Sequence, residues 1–184
     1  MSDATAAAAA RPGGPRLTQL LAVDAIRLGE TAADWRAAVR LAGDALVASG
    51  ATTPAYTDEM VATVEQLGPY IVLAPGIALA HSRPSPAVLR AGISLVTLVE
   101  PVRFGHREND PVRLVIGLAA VDEEAHITAL ATLAEFLSDE TRREELIGAA
   151  GARDVVQLVR AFEQSQAADR SSVGTAVPST EETS

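Results

Sequence analysis

Residues 68–84 read GPYIVLAPGIALAHSRP: two short apolar runs, 70–73 and 77–80, with Pro75-Gly76 between them and His81 closing the second. Apolar runs this short, bounded by turn residues, read as buried strands. Outward toward the C-terminus, 93–99 and 112–120 have the same character, and from Asp122 the period becomes helical, with Ile127, Leu130, Leu133, Ala134 and Leu137 on one face. Two further helices are predicted near 140–149 and 154–162. Outward toward the N-terminus, Thr31 followed by Asp34 resembles a capping box with Asp in place of Glu, and Trp35, Val39, Ala42 and Leu46 recur at i, i+4, i+7 and i+11. This predicts an amphipathic helix ending near Ser49-Gly50. A second, short helix is predicted with Thr57 as N-cap, Met60, Val61, Val64 and Leu67 inside, Asp58, Glu59 and Glu65 outside, and Gly68 as its stop. Helices, then strands, then helices give an α/β or α+β layer arrangement.

The 184 residues suit one globular domain of about 150 residues with loose ends. Residues 1–16 are alanine-rich and then Pro/Gly-rich, and 163–184 carry almost no large apolar side chain. Both are predicted to be disordered tails around a domain at 17–162, because neither buries enough apolar surface to offset its ordering entropy. All 15 basic residues are arginine, set against 24 acids. A net charge of -9 argues against nucleic acid as a partner. Without lysine there is no Schiff base and no Walker-type phosphate lysine; without cysteine there is no thiol nucleophile, disulfide or thiolate metal site. The apolar runs are broken well short of the roughly 20 residues that span a bilayer. No basic segment precedes Ala6–Ala10, so a secretory signal is not expected and the chain is placed in the cytoplasm.

The general base or nucleophile candidates of near-neutral pKa are His81, His106 and His126. His81 stands where an apolar strand meets the Pro-limited loop Ser82-Arg83-Pro84. It reads either as a surface histidine after a strand or as a nucleophile held from behind, with Arg83 suited to an anionic substrate. His126 falls in the first turn or so of the helix after Asp122, where it is either an unpartnered terminus residue or a donor. His106 lies on the polar loop Phe104–Asp110, either solvated or bordering a site.

The run at 68–84, the segment EPVRFGHRENDPVRLVIGLAA at 100–120 and HITALATL at 126–133 together resemble enzyme IIA proteins of the bacterial phosphotransferase system. The resemblance covers about Leu21 to Val159. It lies in the mannitol/fructose superfamily, and the PYIVLAPGIAL and FGH…NDPV stretches are most similar to its ascorbate-type branch. It implies a single α/β domain with a mixed β-sheet and packed helices. It implies that His81 takes a phosphoryl group from the phosphohistidine of the carrier protein HPr and passes it to a IIB protein, which serves a membrane IIC permease. The same resemblance makes His126 a hydrogen-bond donor to the phosphoryl group and puts His106 or Asn109 at the border of the site.

Two departures stand out: Ala80 where many relatives have proline, and Glu65 where mannitol-type relatives carry a functional arginine, a role that cannot be carried over. The chemistry also stands on principle. A neutral imidazole attacks phosphorus without a general base, and the transfer needs in-line positioning and charge neutralisation, for which Ser82 with its backbone N–H, Arg83 and the other histidines are the available donors. No metal or cofactor is called for. The alternative is a regulatory IIA-like module whose His81 phosphorylation state controls a partner protein; a third reading, an unspecified binding domain, requires His81 to be buried or unreactive.

Overall fold

The structure is a computed structural model and describes residues 16–173. Its elements in chain order are α1 (Leu17–Leu20), β1 (Leu21–Glu30), α2 (Trp35–Ala48), α3 (Pro54–Leu67), β2 (Val72–Ala74), β3 (Ile77–His81), β4 (Gly92–Val102), β5 (Val112–Ala119), α4 (Glu123–Leu137), α5 (Glu140–Ile147) and α6 (Ala152–Val173). The strands form one five-stranded sheet in the order β1-β4-β5-β3-β2. It is mixed: β1 runs parallel to β4 and β3 parallel to β5, whereas β4 is antiparallel to β5 and β2 to β3. The α/β class and the mixed sheet with packed helices are as expected.

Helices cover both faces, so the central strands bury both sides and read as unbroken apolar runs. One core joins Val39, Ala42 and Leu46 of α2 and Tyr56, Met60 and Val64 of α3 to Ala78, Ala80, Val96 and Val115 of the sheet. The other joins Leu17 and Leu20 of α1, Leu133 and Phe136 of α4, Leu146 of α5, and Val155, Val159 and Phe162 of α6 to Ile77, Leu79, Ile116 and Leu118. Along β3 the side chains alternate between the two cores, as the pleat requires.

Several local expectations shift by a few residues for identifiable reasons. Asp34 itself caps α2, its carboxylate accepting from the Ala37 amide at 2.8 Å, so Thr31 lies outside the helix. α3 starts at Pro54 behind Thr53, because proline at the first helical position sacrifices no hydrogen bond. Thr57, expected as the cap, is instead buried inside α3 against Gly43. The strand expected at 70–73 begins at Val72, whose amide turns back to the Pro69 carbonyl at 3.1 Å. Pro75-Gly76, with Gly76 at φ +75°, makes the two-residue turn between β2 and β3.

Two differences are larger. β1 was not expected at all from the sequence. α6 continues to Val173, through the boundary drawn at residue 162, and the Glu163 carboxylate accepts from both the Thr18 amide (3.0 Å) and the Thr18 hydroxyl (2.8 Å). The start of the expected C-terminal tail is therefore helix docked on α1. The rest of that tail, 174–184, and the expected N-terminal tail apart from Arg16 lie outside the described residues.

Candidate functional site

His81 is the last residue of β3, and Leu118 of the parallel strand β5 is its register partner. Its Nδ1 lies 2.8 Å from the Leu79 carbonyl oxygen. A carbonyl only accepts, so Nδ1 carries a proton, and in the neutral ring the lone pair is then on Nε2. The ring is half-buried and sits between two others: Tyr70 meets it edge-on at 5.6 Å between centroids, and His126 lies 5.2 Å away, tilted by 47°.

The pleat explains which neighbours meet it. His81 falls on the face of Ile77 and Leu79, over which α4 packs, and His126 is in the first turns of α4. Ser82 falls on the face of Ala78 and Ala80, over which α3 packs. Asp122 caps α4, accepting from the Ala125 amide at 2.7 Å with its carboxylate and from the His126 amide at 3.1 Å with its carbonyl. These backbone donors are thus already used, and what α4 offers toward His81 is the imidazole of His126.

The Nδ1 of His126 is buried without a hydrogen-bond partner. A proton there would strand a buried donor, so the neutral ring carries its proton on Nε2. Burial lowers the pKa of this ring below the ordinary histidine value; the nearby His81 lowers it further, and Glu123 opposes the shift. Near neutral pH it is an uncharged N–H donor facing the His81 ring.

Ser82 does not offer the donors expected of it. Its amide donates to the Tyr56 hydroxyl at 3.1 Å. Its Oγ lies 3.1 Å from Thr63 Oγ1, whose own proton goes to the Glu59 carbonyl at 2.7 Å, so in that pair serine is the donor. Both Ser82 donors are therefore committed to α3. Arg83 is exposed and, among the described residues, makes no hydrogen bond or ion pair. Its guanidinium is available for an anion.

His106 and Asn109 are not brought to His81. They lie on the loop before Val112, at the opposite end of β5 from Leu118, and six residues of strand separate those ends by about 20 Å. His106 Nδ1 accepts the Asn109 amide at 3.1 Å and the Glu108 amide at 3.3 Å. Asn109 donates its side-chain amide to the Val72 carbonyl (3.1 Å) and accepts the Gly76 amide (2.9 Å). Both residues stitch this loop together and onto the β2–β3 turn. Glu65, where the arginine is missing, pairs with Arg36 of α2 at 2.8 Å.

Sequence reasoning missed Tyr70, Tyr56 and Thr63. Tyr70 was inside the deciding run, and an aromatic beside an apolar strand that ends in histidine was its only signal. Tyr56 and Thr63 show themselves only once α3 is laid over the sheet. Among the described residues there is no group of three His, Cys, Asp or Glu able to hold a metal ion, and no helix long and apolar enough to cross a membrane.

The described residues thus form a five-stranded mixed sheet with two histidine rings facing each other where β3 ends. The chain belongs to the phosphoenolpyruvate-dependent sugar phosphotransferase system EIIA 2 family, whose pattern matches residues 19–161, and so to the phosphotransferase components of that system. It is 39% identical over 137 residues to the ascorbate-specific PTS system EIIA component of Salmonella choleraesuis (strain SC-B67), covering 74% of this chain and 89% of that one. The corresponding Escherichia coli (strain K12) protein is 38% identical over 135 residues, with 73% and 88% covered. The crystal structure of IIA mannitol from Escherichia coli superposes with a TM-score of 0.67 at 34% identity, over 75% of this chain and 97% of that one. The complex of the Escherichia coli mannitol IIA with its phosphorylated IIB gives 0.69 at 34% identity, over 77% and 99%.

Proposed function

We propose that His81 is the phosphorylated residue, accepting a phosphoryl group from phospho-HPr and passing it to a IIB component that serves a membrane IIC permease, with the protein working in the cytoplasm. The observation that carries this is the Nδ1–H bond to the Leu79 carbonyl, which leaves Nε2 unprotonated at a half-exposed strand end. In the transfer, Nε2 forms a bond to phosphorus as the donor's phosphorus–nitrogen bond breaks; the donor imidazole leaves with that electron pair, and the Nδ1 proton stays in place. One N–P bond replaces another, so the step is nearly balanced and runs in both directions.

His126 donates from Nε2 to the phosphoryl oxygens, and the free Arg83 guanidinium supplies positive charge at the rim. Ser82 supports the site from behind. The similarity to ascorbate-specific EIIA components favours the ascorbate-type branch, and the similarity to the mannitol IIA bound to its IIB favours a IIB protein as acceptor. Incubation with phosphoenolpyruvate, enzyme I and HPr is expected to give one acid-labile, alkali-stable phosphate per chain, absent in His81→Ala. Phosphate found on Ser82 or on another histidine of the wild type overturns the assignment.

A further inference from the structure

We propose that α3 is a positioning clamp for phosphoryl transfer: Tyr56 and Thr63 hold Ser82 and, through it, keep the His81 ring in the tautomer that can attack. This deepens the reading of His81 as phosphoryl acceptor and rests on it.

Tyr56 is fully buried among the apolar side chains of the α2–α3 core. Phenylalanine would fill the same volume, yet here a hydroxyl is buried. That hydroxyl is aimed at backbone. It accepts the Ser82 amide at 3.1 Å and donates to the Leu118 carbonyl at 2.8 Å, with the Ser82 carbonyl 3.2 Å away. Leu118 is the register partner of His81, and the β3–β5 pairing ends with that pair. Beyond it the Ser82 amide and the Leu118 carbonyl have no rung of the ladder to join, and the Tyr56 hydroxyl takes the place of that rung. Burial holds the phenol up at about 12, so it stays protonated and able to donate throughout the working range.

Thr63 lies seven residues further along α3 on the same face, and accepts the Ser82 hydroxyl. The residue after the nucleophile is therefore fixed at its amide and at its side chain, both from one helix. The His81 ring depends on this. Its Nδ1–H bond to the Leu79 carbonyl spans a single pleat of the strand, so a swing of Ser82 that turns the His81 backbone lengthens that bond. A ring released from it populates the Nε2–H tautomer, which has no lone pair at the attacking nitrogen. Tyr56 and Thr63 touch neither phosphate nor donor; they act through Ser82 and His81.

The test compares full-length wild type, Tyr56→Phe, Thr63→Val and the core control Val61→Ala, which thins the same helix without touching Ser82. Two quantities are measured: single-turnover transfer from phospho-HPr, giving kcat and KM, and the 15N shifts of the His81 ring, giving its tautomer ratio. Tyr56→Phe is expected to lower kcat by on the order of ten- to a hundred-fold with KM unchanged, since small misplacements of reacting groups carry costs of that size. Its His81 ring is expected to show a mixture of tautomers. Thr63→Val is expected to do the same more weakly, and Val61→Ala to keep the wild-type kcat and tautomer. A folded Tyr56→Phe with wild-type kcat and tautomer overturns the clamp, as does a Val61→Ala that loses kcat equally. If Tyr56→Phe does not fold, Thr63→Val decides alone, and a wild-type kcat and tautomer in it overturn the clamp. If the wild type takes no phosphate on His81, the functional reading fails, and an unchanged tautomer ratio in Tyr56→Phe overturns the clamp separately.

Discussion

His126 stands 5.2 Å from the His81 ring with its Nδ1 walled off from solvent. In the role proposed for it, a single donor to a charged transition state, it would be worth roughly 2.7 to 4 kcal/mol, reduced where water reaches the site. His126→Ala is therefore expected to accept phosphate from phospho-HPr slowly, and a rate equal to wild type in a stopped reaction returns it to an ordinary helix residue. His106→Ala, whose ring only closes a turn at the far end of β5, is expected to transfer at the wild-type rate. The lowered pKa of His126 also has a signature in stability. The unfolded ring takes up its proton near about 6.5, and the folded ring only at lower pH. Between the two values the unfolded state binds more protons, so stability falls as pH drops from about 6.5 toward the folded value and levels off below it. Denaturant unfolding of wild type and His126→Gln from pH 8 to pH 5 checks this: the variant is expected to lose less.

At this scale the place of His81 at a strand end was legible from the apolar run and Pro84, while its reading as nucleophile rested on the resemblance to IIA proteins. The commitment of Ser82 was not legible, because it depends on two side chains 19 and 26 residues upstream that reach it only through the layer packing.

Among the elements, α2 packs closely on the sheet where Gly117 of β5 lies under it. A Cβ there would stand 2.3 Å from Ser94 Oγ, itself bonded to the Ala42 carbonyl, and 3.2 Å from Leu46 Cδ1. Gly117→Ala forces α2 away from the strands, and overpacking of this kind costs about 1–3 kcal/mol. The expected drop in denaturation midpoint is measurable by urea titration; an unchanged midpoint would mean that the helix has room to move. The buried central strands and the helical periods were readable in the sequence to within a few residues. β1 was not, because it is an edge strand with Val23 and Asp24 exposed in succession and register shifts on both sides of Ile26 and Arg27, so the period-2 alternation is lost. The far half of α6 was missed for the opposite reason. Its sequence is polar all round after Phe162, and what holds its start is the long-range pairing of Glu163 with Thr18.

For the whole molecule, α6 is the brace of one core, setting Val155, Val159 and Phe162 under the sheet, with Phe136 of α4 edge-on to Phe162 at 5.3 Å. A chain ending after Asp169 keeps Phe162 and Glu163 and is expected to keep its melting temperature within the range of the wild type. One ending after Ala161 loses Phe162, a change of about 3–5 kcal/mol, together with the carboxylate that satisfies Thr18. Glu163→Ala isolates the second contribution and is expected to lose about 1–3 kcal/mol in chemical denaturation.

Because β3 alternates its side chains, two residues joined by one peptide bond report to different cores: His81 faces the layer of α4, Ser82 the layer of α3. The donor proposed for the phosphate and the support proposed for the nucleophile therefore lie on opposite faces of the sheet. A cavity opened under α4, as in Leu133→Ala, slackens the oxyanion contact and leaves the tautomer alone. Loss of the Ser82 anchor on α3, as in Thr63→Val, is expected to free the tautomer and leave the contact alone. Variation that drifts neutrally through the interior of such a protein would tune reaction barrier and nucleophile readiness as two independent dials.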